Sequence, residues 1–95
     1  MVKEFPYEET RVSSETNEKV IRKFNLDVDS EELKWHWDEE ERIVYPVHET
    51  DWLIQLDNKL PQKIDSAITI QKGVWHRLIK GSGDLELMIE KIKDI

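Results

Sequence analysis

The chain has 95 residues, 38% of them hydrophobic and 37% charged, with a formal net charge of -7 and no cysteine. One small domain core fits that length. The acidic balance excludes a grip on nucleic-acid backbone or an anionic membrane surface, both of which need clustered Lys and Arg, and the lack of Cys excludes disulfides and thiolate metal sites.

The N-terminal stretch has no apolar signal-peptide core, and no apolar run approaches a membrane span, so a soluble cytoplasmic protein is expected. Residues 1–19 are read as a polar arm, solvated from Tyr7 to Lys19, and residues 20–95 as one domain. VIRKFNLDV, from Val20, predicts a strand. DSEEL suits one helical turn or a loop, with Ser30 as a cap. LKWHW alternates Leu33, Trp35 and Trp37 against Lys34, His36 and Asp38, which predicts a strand whose tryptophans pack against a second sheet in the core or form a dimer contact. RIVYPV predicts another strand, at an edge or a bulge because of Pro46. DWLIQLD places Trp52, Ile54 and Leu56 on one face, and DNK signals a turn. AITI is a short strand. GVWHRLIK sets Val74, His76 and Leu78 against Trp75, Arg77 and Ile79, and GSGD is a tight turn. LELMIEKI carries good helix formers, but Leu85, Leu87 and Ile89 alternate with Glu86, Met88 and Glu90, which favours a strand. Many short strands with regular turns predict an all-β sandwich or barrel.

Three residues in this pattern can meet. His36 and Asp38 lie two apart on a predicted strand and point the same way, while His76 shares an inward face with Val74 and Leu78. Two histidines and one carboxylate on one side of an ion suit Fe(II) and related divalent metals and leave coordination positions open. The same residues also fit a plain polar lining, with His36 bonded to Asp38 and His76 satisfied in the core. Glu39, Glu40 and Glu41 offer more oxygens or a solvated strand end, and Arg42 and Arg77 can pair with them or hold an anionic ligand. His48 reads as a surface loop residue. Gly81–Gly83 lacks the Lys-Ser/Thr of a phosphate loop, and no serine stands in a triad context. No catalytic residue is assigned.

WHWDEEERIVYPVHETDWLIQLD followed by AITIQKGVWHRLIKGSGDLELMIEKI resembles a small single-domain cupin of the RmlC-like kind, over roughly residues 34–92. Gln71, Lys72, Gly73, Val74, Trp75 and His76 match the second cupin motif, Pro-x-Gly-x-x-His, with Gln71 in the place of proline. In the first motif His36 takes the first His position and Asp38 the second. The place of the motif's Glu falls at Arg42 or Ile43. The resemblance implies a cupin-like double-stranded β-helix, or jelly-roll, barrel, often dimeric. It implies His36, Asp38 and His76 as ligands for Fe, Mn, Ni or Zn. The chain is also similar to short cupin-like accessory proteins of T-even-type bacteriophages, which implies work in a host bacterial cytoplasm. Three functions follow. The first is binding of a small polar ligand or a divalent metal in the barrel, with Arg42, Glu41 and Arg77 at the ligand. The second is a metal-dependent non-haem enzyme, and the third a non-enzymatic protein that engages a host partner.

Overall fold

The computed structural model describes residues 7–12, 18–25 and 31–92. In chain order the elements are β1 (Tyr7–Val12), β2 (Glu18–Phe24), a 3-10 turn (Glu31–Leu33), β3 (Glu41–Pro46), β4 (Leu53–Leu56), β5 (Gln62–Lys63), β6 (Ile68–Ile70), β7 (His76–Ile79) and β8 (Leu85–Ile92). They form two antiparallel sheets, ordered β1-β2-β8-β3-β6 and β5-β4-β7. This is the expected all-β jelly-roll barrel. Among the described residues no helix is long and apolar enough to cross a membrane.

Period-two alternation decides which side chains meet inside. β8 buries Leu85, Leu87 and Ile89 while Glu86, Met88 and Glu90 stay half-buried on the other face, so its alternation prevails over its helix-forming composition. β2 buries Val20, Arg22 and Phe24; β6 buries Ile68 and Ile70; β7 buries His76 and Leu78. Trp52, Ile54, Val44 and Ile64 complete the core. Each buried Leu, Ile or Phe contributes about 1.5–3 kcal/mol.

Trp52 anchors one end of the barrel. It is 0% exposed, its ring stands 6.2 Å from that of Phe24, and its Nε1–H donates to Gly83 O at 2.6 Å. The neighbouring Asp51 accepts from Ser82 N–H at 2.9 Å. A Cβ at Gly81 would stand 2.1 Å from Asp51 Oδ1 and 2.7 Å from Trp52 N, so only glycine lets these segments approach. GSGD bends here, but it does not close a hairpin: it carries the chain from β7 in one sheet to β8 in the other.

Several expectations are corrected. Residues 7–12, read as solvated arm, form the edge strand β1 on β2; the polar composition reflects an edge strand whose Glu9, Thr10 and Arg11 are exposed. LKWHW is no strand. It is an irregular segment joined to β7 by one bridge, His36 to His76. Trp35 and Trp37 are 41% and 49% exposed, rather than packed in the core, and Trp75, on the face opposite His76, is 47% exposed. Pro46 ends a strand that lies between β8 and β6, but β6 pairs only with Arg42 to Val44, so the proline sits where that side is free. β5, which carries no apolar alternation, had no sequence signal. Ser30 lies outside the described residues.

Candidate metal centre

One turn and one bridge bring the centre together. Gln71–Val74 closes with Val74 N–H donating to Gln71 O at 3.1 Å, and Gly73 takes φ +79°, a left-handed conformation that a side chain disfavours. Gly73 N–H then donates to Asp38 O at 3.0 Å, which ties the irregular segment to the turn before β7. Two further bonds, His36 N–H to His76 O at 3.0 Å and His76 N–H to His36 O at 2.8 Å, set the two histidines side by side. Their rings are 4.3 Å apart between centroids. One ligand atom each from His36, Asp38 and His76 falls within 4.8 Å of the others.

The backbone also fixes which ring nitrogen is free. His36 Nδ1 lies 2.8 Å from Lys34 O, and His76 Nδ1 lies 2.8 Å from Val74 O. A carbonyl oxygen only accepts, so both Nδ1 atoms carry hydrogen, and each neutral ring presents a bare Nε2. Second-partner bonds of this kind orient metal-ligating histidines. His76 Nε2 is 3.2 Å from Asp38 Oδ2, which is buried and completes no hydrogen bond. Three lone-pair groups therefore converge with no donor among them unless a ring takes a second proton. A cation resolves that conflict, and the imidazole and carboxylate set is adequate for a divalent first-row metal. Burial would raise the Asp38 carboxyl, but when the rings take that second proton a hydrogen bond from His76 and the charges of Arg42, His76 and His36 outweigh it and hold the carboxyl below its ordinary range.

The centre opens into a cavity of about 40 Å³. That is room for an ion and one or two waters, and far below the few hundred Å³ that enclose an organic ligand. Arg22, Glu32 and Arg42 share its wall with Phe24, Val44, Ile54 and Leu78. Arg42 Nη1 stands 3.5 Å from Asp38 Oδ1, and its Nε is 3.4 Å from Glu40 Oε2. A roomier groove of about 670 Å³ lies at Pro46–Asp51 and Lys63–Asp65. It contains none of the three converging residues.

Of the six residues singled out from the sequence, four come together: His36, Asp38, His76 and Arg42. Glu41 and Arg77 do not. Strand alternation that turns Arg42 and Val44 inward turns Glu41 outward. Arg77 likewise faces outward beside buried His76 and Leu78, with its Nε donating to Gln55 Oε1 at 3.0 Å and its guanidinium 5.1 Å from the Trp35 ring centroid. His48 is a surface residue, 3.2 Å from Glu86. Arg22 and Glu32 were missed. The signal for Arg22 was its place between Val20 and Phe24 on one strand face, where alternation buries a charge.

No family model and no curated protein sequence matches the chain; solved structures do. A cupin domain from Bordetella pertussis Tohama I superposes with a TM-score of 0.66 at 17% identity, over 99% of this chain and 100% of that one. An RmlC-like cupin with a double-stranded β-helix fold from Methanocaldococcus jannaschii gives 0.61 at 15%, over 97% and 92%. HppE, a structure with Co(II) and Tris, gives 0.66 at 12%, over 97% of this chain and 57% of that one. The fold is thus the cupin double-stranded β-helix.

Proposed function

We propose that the protein is a cupin that binds one divalent transition-metal ion through Nε2 of His36, Nε2 of His76 and the carboxylate of Asp38. One observation carries this reading: the two Nδ1 atoms are spent on backbone carbonyls, so three lone-pair donors, one of them a buried oxygen without a hydrogen bond, face one another. The likeness in fold to HppE, whose structure holds Co(II), supports it. An ion bound by three protein ligands keeps positions open for an exogenous donor and polarises what binds there. The chain's own groups do the rest. Arg42 favours the ionised form of Asp38, the Lys34 and Val74 carbonyls hold the ring tautomers, and Phe24, Val44, Ile54 and Leu78 give the cavity an apolar wall. Catalysis by such an ion, on a substrate of a few heavy atoms, is the finer form of the proposal. The structural relatives lend no support to a phage accessory role.

The test is metal content by mass spectrometry on protein purified without chelator or affinity tag, beside the His36→Ala/His76→Ala double variant. Near-stoichiometric Fe, Mn, Ni or Zn in the wild type, lost in a folded double variant, is the expected result. Wild type that takes up none of these ions on reconstitution sinks the reading.

A further inference from the structure

Arg22 is no member of the triad, yet its side chain, 7% exposed, lines the same cavity. A guanidinium does not give up its proton, so such burial requires anionic partners. Two carboxylates supply them: Glu9 on Nε, and Glu32 Oε1 on Nη1 at 3.2 Å. They are held very differently. Glu9 is the direct cross-strand partner of Arg22 in the β1–β2 ladder. Glu32 belongs to a three-residue turn and itself lines the cavity. A carboxylate of the chain thus sits on a buried arginine inside the space that adjoins the candidate metal.

Charge sharpens the point. In the ion pairs among the described residues, Arg22 and Arg42 face Glu9, Glu32, Asp38 and Glu40, and one divalent ion balances those six charges. An incoming anion would upset the balance, unless it replaces an anion already present. Glu32 is the one on a short turn, and its departure also enlarges a cavity otherwise too small for an organic molecule.

We infer that Glu32 occupies an anion subsite built on Arg22, and that the ligand of this cavity is a small monocarboxylate whose carboxylate displaces Glu32 while its other end faces His36, Asp38 and His76. This rests on the reading of the triad as an ion site. A dicarboxylate would bring one more charge than Glu32 takes away, and a neutral amide would bring none to the Nη1 side of Arg22 that Glu32 now holds.

Acetate, glycolate, malonate and acetamide serve as probes, titrated by calorimetry into metal-reconstituted wild type and Glu32→Gln, with metal content measured on the same samples. Acetate and glycolate are expected to bind Glu32→Gln about tenfold more tightly than wild type, because the internal competitor has lost its charge, while acetamide stays silent. Equal acetate affinity in the two proteins, or acetamide binding as well as acetate, overturns the subsite. In wild type, acetate should shift the Glu32 side-chain carboxylate resonance in carbon-13 spectra; this readout holds should Glu32→Gln fail to fold, and an unmoved resonance at saturation overturns the proposal too. Acetate binding by Glu32→Gln without any metal uptake upholds the subsite and sinks the ion reading. Metal uptake without acetate binding does the reverse.

Discussion

Gly81 and Trp52 show how single residues carry the frame around the centre. A methyl at Gly81 meets Asp51 Oδ1 first, and behind it the backbone at Trp52 N, 2.7 Å away, and Asp51 C, 2.8 Å away, so turning the Asp51 side chain aside does not relieve the clash. Gly81→Ala should destabilise by about 1–3 kcal/mol, as overpacking does, read as a fall in urea midpoint at unchanged slope. Trp52→Phe loses the bond to Gly83 O and leaves unfilled space around a fully buried ring, and should cost about 1–3 kcal/mol. Trp37→Phe and Trp75→Phe, on half-exposed rings, should stay within about 0.5 kcal/mol. Equal losses in all three tryptophan variants would refute the assignment of Trp52 as the one buried anchor. At this scale the sequence was informative where alternation and chemistry agreed. His76 stood on an inward face between Val74 and Leu78, and it is buried there. Arg22 stood on an inward face too, but a charged residue between Val20 and Phe24 reads as a strand's solvent side until its partners are known. Those partners, Glu9 and Glu32, come from outside its own strand, and no local pattern announces them.

Among the elements, strands were legible when both faces of the alternation were chemically distinct, as in β6, β7 and β8. The segment 34–38 misled because it alternates perfectly yet pairs through only one bridge. Its regularity comes from two outward tryptophans around one inward histidine, and backbone pairing cannot be read from side-chain order alone. β1 was hidden for the opposite reason: an edge strand needs few apolar residues. The corner between β4 and the β7–β8 crossing has its own pH dependence. Asp51 is held below the ordinary carboxyl value of 3.8 by its bonds with Ser82, side chain first and backbone second. A depressed folded pKa means a contribution fully present above the unfolded value and lost as pH falls through the folded one. The gap in urea midpoint between wild type and Asp51→Asn should therefore be constant from pH 8 to about pH 5, then close below pH 3.8. A gap that widens in acid would contradict the bonded geometry.

For the whole molecule, the order in which the pieces assemble follows from topology. β2 pairs with β8 across most of the chain's length, and β3 with β8 across half of it. Such distant closures make folding slow, in the range of about milliseconds to seconds for β barrels. The centre depends on still less backbone: the segment that carries His36 and Asp38 is tied to β7 by one bridge and to the Gln71–Val74 turn by one bond. With so little backbone pairing, that segment is expected to add little to the closing of the two sheets, and His36, Asp38 and His76 should meet after the barrel has closed. A bound ion should then act on the finished state. At a hundredfold excess over its dissociation constant it adds about 2.7 kcal/mol to stability. That gain should appear as slower unfolding, with the folding limb unmoved, since interactions absent from the transition state change the unfolding rate alone. Stopped-flow chevrons followed through tryptophan fluorescence, with and without saturating Zn(II), make the measurement. A metal that instead accelerates folding would place His36, Asp38 and His76 together before the sheets close, and the order of assembly argued from the single bridge would have to be reversed.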